Sequence, residues 1–126
     1  MHAQIVLFDG FDPLDVIAPY DVLWAGGAAA AGALTVELVS ADEPREVAGG
    51  AGGLVLRATA TLDPDTADLI IVPGAAGPLS APADGRAIDT IPVLLARTMD
   101  TDLPALIRKA LDNPRGTVAT VCGGSL

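Results

Sequence analysis

Four short apolar runs recur along the chain: AQIVLF (residues 3–8), LTVELVSA (34–41), DLIIV (68–72) and GTVATVC (116–122). Three of them stop at glycine, in Asp9-Gly10, Pro73-Gly74 and Gly123-Gly124. Nearly continuous apolar runs of this length read as strands buried on both faces, the signature of a parallel sheet. Parallel neighbours need crossover connections, and segments of helical pattern lie between the runs. In DPLDVIAPYDVLWAGG, Asp12 can cap a helix and Pro13 can take its first position. Leu14, Ile17, Val22 and Trp24 line roughly one face, Pro19 is expected to kink the helix or delay its start, and Gly26-Gly27 are expected to end it. IPVLLARTM and TDLPALIRKALDN are helical; in the second, Leu103, Leu106, Ile107 and Leu111 repeat at helical spacing, and Arg108 and Lys109 suit the C-terminal end of the dipole. Around AGGAGG, the runs REV and GLVLRAT are expected to form a hairpin or irregular β-arm. The predicted order is β-α-β-hairpin-β-α-β, one α/β domain with a parallel sheet and helices on both faces.

Hydrophobic residues make up 51% of the chain and aromatics only 3%, so the core must be built from Ala, Val, Leu and Ile. Seven basic against sixteen acidic residues give a net charge of -9. That balance argues against nucleic acid and anionic membrane surfaces as partners. The single cysteine excludes an internal disulfide, no His/Cys cluster suggests zinc, and no cofactor is implied. No signal-peptide pattern is apparent, and the small-apolar stretch WAGGAAAAGAL is too short to span a bilayer. A cytoplasmic protein is the expectation. His2 precedes the first strand, at the end of the sheet opposite the expected site, and is given no role.

Active sites in parallel α/β folds lie at the carboxyl ends of the strands. DGFDPLD, PGAAGP and CGGS all fall on that rim. Cys122 sits where a strand would turn sharply into a helix, a position that pushes a nucleophile out of the sheet and demands small neighbours such as Gly123 and Gly124. A following helix would aim N–H groups at the sulfur and favour the thiolate. A buried structural cysteine is the plainer alternative. Asp15, just past the first strand, can donate to sulfur or pass a proton when protonated; a solvated acid at a helix start is its alternative. Asp12 and Asp21 read as such solvated acids. Gly74 and Ala75 are candidate backbone donors to an oxyanion, against an ordinary strand-ending turn. AGGAGG fails as a phosphate loop, lacking both a following Lys-Ser/Thr and the GxGxxG spacing.

QIVLFDGFDPLDVIAPYDVL, VAGGAGGLVLRATATL, DLIIVPGAAG and TVATVCGGSL occur in the order and spacing of the ThiJ/PfpI superfamily, and the chain resembles it from about residue 3 to residue 126. The resemblance implies a class I glutamine-amidotransferase-like, flavodoxin-like fold. The chain is most similar to the isonitrile hydratase-like branch and to the sensor domains of AraC-type regulators. The Leu14-Asp15 … Pro19-Tyr20-Asp21-Val22-Leu23 and Val121-Cys122-Gly123-Gly124-Ser125-Leu126 segments carry that similarity. By resemblance Cys122 is the nucleophile, Asp15 its acidic partner, and the N–H groups of Ala75 and Gly123 face the oxyanion. The implied activity is a lyase that hydrates a small-molecule isonitrile to an N-substituted formamide. A regulator's ligand-sensing domain, or a glyoxalase, deglycase or amidase, are the alternatives. A homodimer is implied as well. Two positions depart from the pattern: Gly123 stands where the hydratases have threonine, and Ala75 stands where the loop often has glycine. The family continues past the elbow with a helix, further strands and a histidine. The chain is therefore expected to be the N-terminal portion of such a domain, inactive alone, its remainder a separate chain or never made.

Overall fold

The computed structural model describes every residue except Ala87 and Leu126. Five parallel strands form the central sheet: β1 (His2–Leu7), β2 (Thr35–Ser40), β5 (Ala60–Thr61), β6 (Leu69–Val72) and β7 (Thr117–Thr120), in the order β5-β2-β1-β6-β7. β3 (Arg45–Ala48) and β4 (Val55–Ala58) form a separate antiparallel hairpin. Helix α1 (Pro13–Ala29) connects β1 to β2; α2 (Ile91–Thr98) and α3 (Leu103–Leu111) connect β6 to β7. The two connections run in opposite directions along the sheet, so right-handed crossovers place α1 on one face and α2 and α3 on the other. This is the flavodoxin-like α/β architecture expected from the alternation of runs and helices.

The apolar runs fold as strands because each can be buried on both sides. In β1, the middle strand, Ala3, Ile5, Val6 and Leu7 are at most 1% exposed. Its one buried amide, Gln4, accepts from the Asp63 N–H at 2.9 Å, so its carbonyl oxygen is paired inside the core. β7 lies at the sheet edge, and Thr117, Ala119 and Thr120 are exposed. β5, a two-residue strand on the outer side of β2, has no signal in the sequence, because two residues carry no periodicity.

Helix α1 differs from its sequence expectation in three ways. It starts at Pro13, so Pro19 lies inside the helix and does not delay its start. It passes Gly26-Gly27 and ends at Ala29. The face lined by Leu14, Ile17, Val22 and Trp24 points outward, whereas Asp15, Val16 and Gly27 are buried. The physical reason lies at Gly27: a Cβ there would meet the Leu34 carbonyl oxygen at 2.2 Å. Glycine lets the helix press onto the chain entering β2, and that contact fixes which face is inside. The end is a Schellman turn, with Gly32 N–H donating to the Gly27 carbonyl at 2.9 Å and Ala31 N–H to the Ala28 carbonyl at 3.4 Å.

Candidate active site

In the sheet, connections leave β1 in one direction and β6 in the other, so β1 and β6 flank the topological switch point. A crevice forms there, outside the carboxyl ends of the strands. Asp12 N–H donates to the Gly74 carbonyl at 2.8 Å, and Ala76 N–H donates to the Gly10 carbonyl at 3.0 Å. These two bonds stitch the loop after β1 to the loop after β6. Phe11, fully buried between them, bridges to Gly49 of the hairpin and to Ala75. The sequence reading assigned Phe11 no role; its signal, one aromatic in a chain nearly without them, is visible only in hindsight.

This stitching brings Asp15, on the first turn of α1, against the end of β6. Asp15 is 8% exposed, and its Oδ2 accepts from the Gly74 N–H at 3.0 Å. Cys122 follows β7 by two residues, after Val121 N–H extends the ladder to the Val72 carbonyl at 3.0 Å. The backbone then turns sharply: Cys122 has φ +47°, a left-handed conformation costing a non-glycine residue about 1–2 kcal/mol. One turn of 3₁₀ helix, Cys122–Ser125, follows, with Gly124 N–H donating to the Val121 carbonyl at 2.9 Å. The strand thus ends in a strained, exposed cysteine followed by a turn of small residues.

Gly74 is where these groups meet. The position a Cβ on Gly74 would occupy lies 3.1 Å from Asp15 Oδ2, 3.1 Å from the Gly123 nitrogen and 3.2 Å from Cys122 Cβ. Four sequence-predicted residues therefore converge on one point. Gly74 itself is not an oxyanion donor, because its N–H is committed to Asp15. The N–H groups of Ala75 and Gly123, by contrast, donate to no acceptor among the described residues. Asp12 N-caps α1, its Oδ1 accepting from Leu14 N–H at 3.1 Å, and Asp21 is exposed, as expected of solvated acids. His2 stays at the far end, bonded to Thr35 Oγ1 at 2.8 Å.

Two cavities adjoin the rim. One of about 600 Å³ lies between α2, α3 and β7, lined by Leu95, Leu103, Ile107, Val118, Gly123 and Gly124 among others. Cys122 is not in its wall. Leu95 was not singled out from the sequence, yet its Cδ1 lies 2.8 Å from where a Cβ on Gly123 would be. The second, of about 340 Å³, is bounded by Gly10, Gly50, Gly77, Asp89 and Arg97. Its cation is already engaged: Arg97 clasps Asp89 with two bonds of 2.6 and 2.9 Å, which holds that carboxyl below its ordinary value. Among the described residues, no cluster of His, Cys, Asp and Glu is placed to hold a metal, and no helix is long and apolar enough to cross a membrane.

No family model matches the chain, and no curated protein matches it. Solved structures do. A two-domain protein from Anabaena variabilis, with DJ-1/ThiJ/PfpI-like and ferritin-like domains, superposes with a TM-score of 0.65 at 16% identity, over 98% of this chain and 30% of that one. DJ-1beta of Drosophila melanogaster gives 0.69 at 16% identity, over 98% and 56%. An AraC family transcriptional regulator from Pseudomonas putida gives 0.58 at 21% identity, over 98% and 57%. The chain thus spans from under a third to little more than half of these structures' lengths. What the likeness establishes is architecture: the chain carries the flavodoxin-like fold of DJ-1/ThiJ/PfpI-like proteins.

Proposed function

We propose that the chain is the nucleophile-bearing part of a ThiJ/PfpI-type, cysteine-dependent hydratase, which adds water to an isonitrile to give an N-substituted formamide. The convergence of Asp15, Gly74, Cys122 and Gly123 on one point carries this reading. The Cys122 sulfur attacks the terminal isonitrile carbon, and that carbon takes the thiol's proton by way of Asp15, giving a thioimidate. Water then adds to the same carbon while the nitrogen is protonated. The N–H groups of Ala75 and Gly123 stabilise the developing oxyanion. The C–S bond breaks, the formamide leaves and the thiol is restored. No redox partner enters, and water is the second substrate.

Completion by a further segment is part of the proposal. The apolar cavity begins beside Gly123 and Gly124, and β7 exposes three of its four residues. A helix laid along the cavity and a strand on the β7 edge would cover both. Such a segment, on the same or a separate chain, would supply the remaining wall. The test is formamide production from an alkyl isonitrile by the product of the complete reading frame. The proposal expects turnover that Cys122→Ala abolishes; no turnover, or turnover indifferent to that substitution, sinks it.

A second reading is a ligand-sensing domain of an AraC-type regulator. It is favoured by Leu95 standing over Gly123, where an apolar group occupies the space a side chain after the cysteine would need. This reading expects a helix-turn-helix region in the complete reading frame and ligand binding that survives Cys122→Ala.

A further inference from the structure

The β3–β4 hairpin stands outside the central sheet, yet its turn reaches the candidate site. The connection is the segment of residues 9–12, which crosses the carboxyl rim. On one side that segment is tied to the hairpin. Gly10 N–H donates to the Ala48 carbonyl and Gly50 N–H to the Phe11 carbonyl, both at 2.9 Å, and Arg45 holds Asp9 at 3.1 Å. On the other side it is tied to the loop after β6, by Asp12 N–H on the Gly74 carbonyl and Ala76 N–H on the Gly10 carbonyl. Phe11 is the shared residue, bridged in parallel to Gly49 and antiparallel to Ala75. Its side chain is fully buried, with Cε2 and Cζ each 3.3 Å from where a Cβ on Gly49 would be. The turn and the loop also touch directly. A Cβ on Gly50 would meet the Ala76 and Gly10 carbonyl oxygens at 2.0 and 2.7 Å, and both are backbone.

We infer that the hairpin turn is a positioning element for the site, with Phe11 and Gly50 as its positioning residues. They set the backbone of residues 74–76, and through it the N–H groups of Gly74 and Ala75. Among the described residues, 74–76 hydrogen-bond only to Gly10, Asp12 and Asp15, so the crossing segment and the first turn of α1 are what hold them. A two-stranded hairpin is marginal by itself, so these ties act both ways: the hairpin steadies the segment and the segment steadies the hairpin. A displacement of the turn at Gly50 therefore passes to Ala76 and, through Phe11, to Ala75. The inference rests on the reading of Ala75 as an oxyanion donor. Such a donor must meet the oxyanion at about 2.7–3.1 Å, and a misplacement of about 1 Å costs on the order of 100-fold in rate. Phe11 is buried and acts through the backbone, not on a substrate.

Two variants of the same turn test it. The φ of Gly50 is not in the left-handed region, so Gly50→Ala acts by pushing on the Ala76 and Gly10 carbonyls. Gly52→Ala is the control: φ is +58° there, so alanine strains the turn, but nothing lies within 4 Å of the added Cβ. Both are made in the product of the complete reading frame and assayed with an alkyl isonitrile. Gly50→Ala should lower kcat about 10–100-fold with KM within about two-fold, and Gly52→Ala should leave both within about two-fold. Phe11→Leu keeps an apolar core residue and should lower kcat by a smaller factor, a readout that holds even if Gly50→Ala folds poorly. A second measurement needs no turnover. The Gly74 amide, bonded to Asp15 at 3.0 Å, is followed by hydrogen exchange in NMR spectra. It should exchange about tenfold faster or more in Gly50→Ala and Phe11→Leu, and at the parent rate in Gly52→Ala. The inference is overturned if Gly50→Ala and Gly52→Ala act alike in either readout, or if Gly50→Ala changes KM and not kcat. If the parent shows no turnover, the hydratase reading fails and the exchange rates alone decide the positioning role: an unaltered Gly74 amide in Gly50→Ala overturns it.

Discussion

Gly74 is the residue on which the site turns, and its requirement is for space. Its φ is not in the left-handed region; what crowds a side chain is the ring of Asp15 Oδ2, the Gly123 nitrogen and Cys122 Cβ around it, which must give by a few tenths of an ångström. Gly74→Ala should therefore cost about 1–3 kcal/mol in urea unfolding and move the turn at Cys122 away from Asp15. The two glycines after the cysteine are not equivalent. A Cβ on Gly124 would meet the Val72 and Pro73 carbonyl oxygens at 2.3 and 2.7 Å, which are rigid backbone. A Cβ on Gly123 would meet only the tip of Leu95, which can rotate away. Gly124→Ala should be clearly more destabilising than Gly123→Ala in the same urea assay; equal losses would contradict this picture of the turn. Asp15→Ala removes the acceptor of a buried N–H and should cost about 1–3 kcal/mol, whereas Asp15→Asn can keep that bond. The sequence pointed to Cys122, Asp15, Ala75 and Gly123 through turn chemistry and resemblance. It could not show that Gly74 N–H is spent on Asp15, or that Leu95 roofs Gly123, because neither contact is between residues near in sequence.

At the scale of elements, strands were more legible than helix faces. A continuous run such as AQIVLF has one physical outcome, burial on both sides, and β1 follows it. Helix α1 is rich in Ala, Gly and apolar residues all round, so periodicity cannot choose its inner face. Gly27 chooses it, through a close approach to Leu34 that exists only when the chain is folded. The helix end holds a testable imperfection. Ala31 takes φ +55° in the Schellman turn, where glycine would sit without strain. Ala31→Gly should raise stability by about 0.5–1 kcal/mol, read as a higher thermal or urea midpoint. A lower midpoint would mean that the unfolded chain's extra freedom outweighs the relieved strain.

At the scale of the whole molecule, the parallel central sheet with helices on both faces followed from the alternation of runs and helices. Whether the apolar cavity beside Gly123 and the edge of β7 take a partner lies outside the reach of local pattern, because a surface carries no periodicity that names an occupant. The acidic charge gives the folded state a defined pH response. Asp63 accepts from the Asp65 N–H at 3.0 Å, and that bond, with the Thr66 hydroxyl, holds its carboxyl below the ordinary 3.8. A carboxyl lowered in the folded state contributes stability that is present above its unfolded value and is lost as pH falls through its folded value. The urea midpoint should therefore drop below about pH 4, and Asp63→Asn should make that drop shallower. The central claim concerns Cys122, and it is tested most directly by intact-mass spectrometry of the complete protein, quenched within the first turnover of an alkyl isonitrile. The expected result is one adduct of the isonitrile's own mass, located on the peptide containing Cys122 and absent from Cys122→Ala. Formamide formed with no adduct and at the same rate in Cys122→Ala would contradict it.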